Sequence, residues 1–180
     1  MTSLQFWVGV VSREHVQLGV KGGFIQLSHG KKAPLQHLRA GDGVVMYSPR
    51  TAYPDGEPLQ RFTAIGVVST GEIYQVEMTN DFKPYRIDVQ FLRAKEAPIK
   101  PLIENLSFIK NKTHWGAAFR FGYLKVPADD FLLIATAMGV KSKFQTQCAL
   151  TTRSIGPLAG GACAPSARGR LAWFVRRNQV

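Results

Sequence analysis

The amino-acid sequence predicts an α+β fold, a mostly antiparallel β-barrel of five to six strands with short helices packed outside it. Two observations favour this fold. Segments rich in β-branched and aromatic residues recur along the chain, with room between them only for short helices. There is also no regular alternation of strands with long helices, so a parallel sheet of βαβ units is not predicted. No internal repeat is visible.

The N-terminal half begins with an aromatic and β-branched run that is typical of a buried strand. Ser12 is a plausible N-cap for the helix that follows. Proline has no backbone donor, so we expect the strand that leads to Ser48 and Pro49 to end there. The predicted elements are a strand at 5–11, a helix at 13–18, a short strand or turn at 24–27, a loop at 29–34, a helical turn at 34–38 and a strand at 44–47.

In the C-terminal half the clearest period is an alternation of apolar and polar residues over 84–92, which indicates a half-exposed strand. Proline and two acidic residues open the apolar segment 127–138, a strong helix signal, and Gly139 is a good stop. The other predicted elements are a surface loop at 51–58, a strand at 60–68, a turn and short strand at 71–77, a short helix at 98–106, a loop at 108–113 and a strand at 117–126.

The chain of 180 residues is long enough for one domain with a sizeable core and a tail. We expect a domain at 1–138 and a basic, poorly ordered tail at 139–180. The first ten residues lack the basic start of a secretory signal, and no apolar run reaches the roughly 18 residues of a membrane span. Both cysteines lie in the tail, so neither a disulfide framework nor a thiolate metal site is predicted. We expect a reduced, cytoplasmic protein.

Most of the net charge of +11 lies in the tail. Residues 139–180 hold seven basic residues and no acidic one, whereas residues 1–138 hold 16 basic and 12 acidic residues, a net charge of +4. The charge of the domain alone therefore does not predict nucleic-acid binding. Disorder is the simpler interpretation of the tail. The alternative is a basic arm that binds a polyanion, with Trp173-Phe174 and Arg176-Arg177 at its foot.

The sequence contains no recognisable catalytic motif. A Gly-rich phosphate loop, a Gly-x-Ser-x-Gly elbow and a His-x-x-x-His pair are all missing. The four histidines are scattered, and Asp42 lies between two glycines, which predicts a turn. We therefore expect a binding protein without catalysis, cofactor or metal.

Aromatic rings and arginines concentrate at the predicted strand ends. A pocket of rings with a few directed polar groups suits a flat heterocycle such as a flipped base. The alternative is that Trp7, Phe62 and Phe121 are simply core residues. Trp115 is the exception, because it lies in a loop context where a purely structural tryptophan is less expected. The candidate rings are Trp7, Tyr47, Phe62, Trp115, Phe119 and Phe121, with Ser12, Ser48, Arg50 and Arg120 as polar groups.

Five segments together resemble the EVE domain family of small bacterial proteins. They are Phe6-Trp-Val-Gly-Val-Val-Ser-Arg-Glu-His-Val16, Leu27-Ser-His-Gly-Lys31, Met46-Tyr-Ser-Pro-Arg50, Phe62-Thr-Ala-Ile-Gly66 and Trp115-Gly-Ala-Ala-Phe-Arg-Phe-Gly122. The resemblance covers about residues 4–138 in the expected order and does not include the tail. It implies a PUA-like fold, a compact β-barrel with flanking helices, and kinship with YTH and ASCH domains.

The resemblance also implies a site and a ligand. Members of this group hold modified bases in an aromatic pocket, and EVE domains are thought to read modified cytosine in DNA, often next to restriction modules. No nuclease motif accompanies the domain here. Carried over to this sequence, the pocket would use Trp7, Ser12, Tyr47, Ser48, Pro49, Arg50, Trp115, Phe119 and Arg120, with Arg13, His29 and Lys31 at the rim.

Our first hypothesis is therefore a module that binds nucleic acid with a flipped, modified base, and DNA is favoured over RNA. Trp115 and Tyr47 would stack on the base, Ser12 and Ser48 would bond its edge, and Arg50, Arg120 and Lys31 would meet phosphate. A second hypothesis is an RNA-binding PUA-like domain of RNA modification or translation, which would read shape and 2′-hydroxyls. A third is a sensor of, or an enzyme on, a small nucleotide-like ligand. The oligomeric state is left open.

Overall fold

The computed structural model describes residues 4–141. The predicted tail from residue 142 onward, with both cysteines and the basic foot, lies outside the described residues. The described part is α+β, as predicted, and none of its helices is both long and apolar enough to cross a membrane. Its elements are β1 (Phe6–Val10), α1 (Arg13–Gly22), β2 (Phe24–Ile25), β3 (Gly43–Arg50), β4 (Pro58–Gln75), β5 (Tyr85–Phe91), β6 (Ala97–Pro98), β7 (Tyr123–Val126) and α2 (Ala128–Ala137), with 3-10 helices at Ser28–Gly30, Ala33–His37, Lys100–Asn105 and Trp115–Phe119.

The strands form one mixed sheet in the order β2-β5-β4-β3-β1-β7, with β6 added beside β4. β1 and β3 pair in parallel, and the other pairings among the described strands are antiparallel. The predicted barrel of five to six strands is not confirmed, because over residues 4–141 the sheet has seven strands and its order is an open path from β2 to β7. β4 is the hub of the sheet, since it pairs with β3, β5 and β6.

The sheet separates two hydrophobic clusters. Successive side chains of a strand point to opposite faces. Trp7 and Val8 on β1 accordingly enter different clusters. Phe131 and Ile134 of α2 cover one face, while Val16 of α1 belongs to the cluster on the other. Burial on both faces explains why the strand segments of this sequence are so apolar.

β3 does not stop before Ser48-Pro49 as predicted but continues to Arg50. The pairing between β3 and β4 shifts register twice, once between Met46 and Tyr47 and once between Ser48 and Arg50. Pro49 lies inside the second irregularity, where the strand does not need a backbone N–H to donate to β4. The bulge therefore lets the strand carry a proline through to its end.

The predicted strand at 60–68 and the predicted turn and strand at 71–77 are one long strand, β4. The register between β4 and β5 jumps between Val68 and Ile73. Gly71 lies in this irregularity with a φ of +75°, a value that glycine adopts without strain. The glycine thus makes a bulge in a continuous strand rather than a turn between two strands.

The predicted strand at 117–126 is divided into a 3-10 helix at Trp115–Phe119 and the short strand β7. Gly122, with a φ of +77°, turns the chain between them. The alternation Phe-Arg-Phe-Gly suggested a strand, but residues 115–119 instead coil so that the Trp115 and Phe119 rings meet edge to face, 6.3 Å apart. The predicted alternation of β5 and the predicted helix at 127–138 are both present.

Candidate functional site

Three chain segments converge at one end of the sheet. Because β1 and β3 run in parallel, their C-terminal ends meet there, with Val10 opposite Tyr47. The Val11 amide donates to the Tyr47 carbonyl (3.0 Å), and the Val10 amide donates to the Gly122 carbonyl (2.8 Å). The end of β1, the end of β3 and the turn before β7 are thereby held side by side. Polar residues that follow these segments share one surface.

Two adjoining cavities, each of about 420 Å³, open at this end. The aromatic cavity is lined by Val10, Tyr47, Pro49, Arg50, Pro58, Gln60, Trp115, Gly116, Phe119 and Arg120. The polar cavity is lined by Val10, Val11, Ser12, His15, Gln26, Ser28, His29, Pro49, Arg50, Ala52, Tyr53, Phe82, Phe119, Arg120 and Gly122. Both are lined by Val10, Pro49, Arg50, Phe119 and Arg120, which we call the shared wall.

The floor of the aromatic cavity is a pair of stacked rings. Tyr47 and Phe119 lie 4.2 Å apart between centroids, and Tyr47 is only 2% exposed. Burial raises the pKa of Tyr47 to about 12, so its phenol stays neutral at physiological pH. With one face of Tyr47 covered by Phe119, the half-buried Trp115 is the larger ring surface open to a ligand in this cavity.

The polar cavity carries hydroxyl, carboxamide and imidazole groups. Gln26 is buried, and its side-chain oxygen accepts a hydrogen bond from Arg86 Nε (3.3 Å), so its amide group is held in one orientation. Burial, with the nearby Arg86, lowers the pKa of His15. A neutral imidazole both donates and accepts hydrogen bonds. His29 meets the exposed Tyr53 ring edge to face at 5.8 Å.

The shared wall supplies the positive charge of the site. Arg50 Nη1 donates to the Gly56 carbonyl (3.0 Å), which fixes its guanidinium at the mouth. Arg120 is exposed, and no hydrogen bond or ion pair of its side chain is found within residues 4–141. One tethered and one unengaged guanidinium therefore border both cavities. Such groups bind phosphate with directed pairs of hydrogen bonds.

The backbone is strained where it lines the cavities. Ser28, His29 and Gln60 have φ values of 47°, 58° and 55°, and they are the non-glycine residues with positive φ in the described part of the chain. Ser28 and His29 line the polar cavity, and Gln60 lines the aromatic one. Conformations of this kind cost about 1–3 kcal/mol and cluster at functional sites. Because all three residues line the two cavities, this end of the sheet is the candidate functional site.

Eight of the residues predicted for the site lie at the cavities. Tyr47 and Trp115 line the aromatic cavity, while Ser12 and His29 line the polar one. The shared wall contains the other four, Pro49, Arg50, Phe119 and Arg120. The structure therefore separates Ser12 from the Trp115 and Tyr47 rings, which the prediction placed around a single base.

Trp7 was predicted for the pocket, but the structure places it in the core, where it lines neither cavity. Its Nε1 donates to Asp42 Oδ2 (3.3 Å), and its ring stacks on His37 at 6.0 Å. Trp7 enters the hydrophobic cluster opposite that of Tyr47. The aromatic run of β1 gave no sign of which ring would face the site.

Ser48, Phe62 and Phe121 also line neither cavity. Ser48 is fully buried and shares a hydrogen bond with Thr63 Oγ1 (2.8 Å). Phe62 is fully buried against Tyr47, edge to face at 5.6 Å, so it supports the floor from behind. Phe121, expected in the core or the pocket, is 82% exposed.

The two predicted cations Arg13 and Lys31 are likewise outside the cavities. Arg13 Nε lies 2.6 Å from Glu96 Oε1 in an ion pair, which engages its guanidinium elsewhere. Lys31 is exposed and lines neither cavity. The cations of the shared wall, Arg50 and Arg120, are those that border both openings.

Several lining residues were not predicted from the sequence. His15 is one of the four scattered histidines. Its position, one helical turn after Ser12, indicates that the two side chains lie on the same face of the helix. Gln26 and Phe82 come from distant segments and meet the cavity through the pairing of β2 and β5 and the loop before β5. Tyr53 lies in the loop that is predicted to be on the surface, and it lines the polar cavity together with Ala52.

Comparisons with known proteins agree on a family. The family model described as EVE domain matches residues 5–137. A UPF0310 protein of Mycolicibacterium vanbaalenii is 52% identical over 132 residues, 73% of this chain and 91% of that protein. A UPF0310 protein of Mycobacterium avium is 52% identical over 132 residues, 73% of this chain and 96% of that protein. The UPF0310 protein YdcG of Bacillus subtilis is 47% identical over 135 residues, 75% of this chain and 92% of that protein.

Proposed function

Because the chain belongs to the EVE domain family, we propose that it is a binding module for nucleic acid that holds one flipped, modified base. Family membership suggests nucleic-acid binding in general. The finer proposal is that the base enters the polar cavity and that modified cytosine in DNA is the favoured ligand. The proposed role is binding rather than catalysis.

The observation that carries this proposal is the collection of directed polar groups in one base-sized cavity. Ligand pockets occupy roughly 300–1,000 Å³ and combine apolar walls with a few convergent polar groups. The polar cavity, at about 420 Å³, falls within this range. The earlier hypothesis paired Ser12 with Trp115 and Tyr47, but the separation of these residues favours the cavity that contains Ser12.

The groups of the polar cavity match the edge of a cytosine. Cytosine offers an amino donor beside ring-nitrogen and carbonyl acceptors, so its recognition requires both donors and acceptors. The Ser12 hydroxyl, the Gln26 carboxamide and the neutral His15 imidazole together supply both. Val11 and Phe119 provide apolar surface for a substituent on the base and for the base itself. Reading a flipped base by its edge and by stacking is the usual design of base-flipping proteins.

The sugar-phosphate backbone would lie across the shared wall. Arg50 and Arg120 are exposed and line the polar cavity, so they would meet the backbone of a strand with one extruded base. Contacts of this kind release counterions, so the affinity should fall as salt concentration rises. They position the strand without reading its sequence.

The proposal is tested by fluorescence polarisation with the full chain. Short oligonucleotides of one sequence would carry cytosine, 5-methylcytosine, 5-hydroxymethylcytosine or N6-methyladenine at one position, as single-stranded and duplex DNA and as matched RNA. We expect one modified cytosine in DNA to bind at least about tenfold more tightly than cytosine, since burying its substituent against Val11 and Phe119 is worth about 1–3 kcal/mol. Equal binding of every base would overturn the base-reading proposal. Tighter binding of unmodified RNA would favour an RNA-binding domain instead.

A further inference from the structure

The aromatic cavity remains without a ligand once the base occupies the polar cavity. It shares with that cavity Val10, Pro49, Arg50, Phe119 and Arg120, so a group bound in one lies directly across the shared wall from a group bound in the other. Both volumes are about 420 Å³. Two compartments of similar volume on either side of a cationic wall fit two units of a repeating polyanion.

Trp115 gives the aromatic cavity a stacking surface. Its half-buried ring meets Phe119 edge to face at 6.3 Å, and the 3-10 helix that carries it is closed by a hydrogen bond from the Ala117 amide to the His114 carbonyl (3.0 Å). A Cβ added at Gly116 would meet no other residue within 4 Å, so the cavity wall is open at this position. Stacking on such a ring accepts any base, because every base has a π-face.

Gln60 and Tyr47 add polar groups to this cavity. Gln60 has a φ of +55°, and its carbonyl accepts a hydrogen bond from the Ile99 amide (3.1 Å), which holds the strained residue in place. Its carboxamide can both donate and accept hydrogen bonds. The Tyr47 hydroxyl makes no hydrogen bond within residues 4–141. Every buried side-chain polar atom in this part of the chain has a partner, so the Tyr47 hydroxyl is not fully buried and is open to the cavity that Tyr47 lines.

We propose that the aromatic cavity binds a second nucleobase, the chain neighbour of the base in the polar cavity, so that the protein takes two consecutive unpaired nucleotides. The inference rests on the proposed function of the polar cavity. The phosphate between the two nucleotides lies on the shared wall, where Arg50 and Arg120 meet it. Trp115 stacks on the second base, which is read with little sequence preference, because stacking does not distinguish bases strongly.

The experiment compares three single-stranded DNA probes on the full chain by fluorescence polarisation. One is intact with the preferred modified cytosine of the preceding experiment at its centre, and the other two have an abasic site immediately 5′ or immediately 3′ of that base. Each keeps the phosphates and the central base. We expect one abasic probe to bind about tenfold more weakly than the intact probe, as the loss of one stacked base predicts.

Trp115→Ala is expected to lower the affinity for the intact probe by about tenfold and to leave the affinity for the weak abasic probe unchanged. Trp115→Phe, which keeps a ring, should retain most of the affinity. If a thermal melt shows that Trp115→Ala does not fold, Gln60→Ala provides a second variant. It should weaken binding of the intact probe more than binding of the weak abasic probe.

Equal binding of all three probes by the wild-type chain would overturn the two-nucleotide site while leaving the base in the polar cavity intact. An equal loss for intact and abasic probes in Trp115→Ala would also overturn it, since the ring would then act on the fold. A wild-type chain that binds none of the probes would overturn the proposed function itself.

Discussion

At the residue scale, the proposed recognition of a base in the polar cavity depends on a histidine that stays neutral. Burial and the charges of Arg86 and His29 lower the pKa of His15, and Glu14 opposes them only partly. The neutral ring can accept a hydrogen bond from an amino group and donate one to a carbonyl. The lowered pKa thus keeps the ring neutral in the site and also makes the free energy of unfolding depend on pH.

The lowered pKa predicts a pH dependence of folding. The unfolded histidine binds a proton near pH 6.5, whereas folded His15 resists protonation, so its contribution to stability is present above that pH and is lost as the pH falls through the folded pKa. We expect the free energy of unfolding to fall between about pH 7.5 and 5. Urea unfolding across this range should show a shallower fall for His15→Gln.

The matched control is His114→Gln, because His114 is an exposed residue that lines neither cavity. It should retain the wild-type slope. Identical slopes for the wild type and His15→Gln would show that His15 does not resist protonation in the folded protein.

At the element scale, Asp42 joins β1 to the turn before β3. Its Oδ1 accepts from the Gln5 amide (3.0 Å), and its Oδ2 accepts from the Arg39 amide (3.0 Å) and from Trp7 Nε1 (3.3 Å). The carboxylate is 2% exposed. The turn predicted at Asp42 is therefore also the link that starts the parallel pairing of β1 with β3. That pairing brings the ends of both strands to the cavities.

Asp42→Ala should destabilise the protein by about 3–5 kcal/mol, because it leaves three donors, two of them backbone amides, without their acceptor. Trp7→Phe removes one of these bonds and should cost about 1–2 kcal/mol. Equilibrium unfolding in urea measures both values. A loss below about 1 kcal/mol in Asp42→Ala would mean that water replaces the carboxylate as acceptor and that Asp42 is not required to join β1 to the turn before β3.

Elements with strong local signals were predictable, and elements set by pairing were not. The alternation of β5 and the acidic first turn of α2 lie in the sequence itself. The continuation of β3 through Pro49 depends on a bulge against β4, which only the register reveals. The parallel pairing of β1 with β3 is a long-range choice, so the sequence could place Ser12 and Arg50 at strand ends but could not place the ends together.

At the scale of the whole molecule, the pattern of strand-like segments predicted the α+β class, and the resemblance predicted the family, which is confirmed. The binding site stays a prediction, and the structure divides its predicted residues between the cavities and the core. Eight predicted residues reach the two cavities, yet the core takes Trp7, Ser48 and Phe62 because strand alternation and burial decide which side chains face the opening. Composition cannot reveal such a partition.

At this scale the proposed function combines two kinds of binding. The described domain contributes the arginines of the shared wall, and the chain as a whole has a net charge of +11, of which +7 comes from residues 139–180. Charge raises the affinity for any polyanion and weakens with salt. In the proposed function, selectivity for a base comes from the polar cavity. The ratio of the affinities for two ligands of equal charge separates base recognition from the contribution of charge.

The most direct test of the central claim is therefore the affinity ratio of the full chain for DNA with the preferred modified cytosine and with N6-methyladenine at the same position, measured for the wild type, Ser12→Ala and Ser69→Ala. Ser69 is exposed and lines neither cavity. We predict that Ser12→Ala reduces the ratio about tenfold, as expected for one lost edge contact, while Ser69→Ala keeps it. An unchanged ratio in folded Ser12→Ala would contradict recognition of the base in the polar cavity.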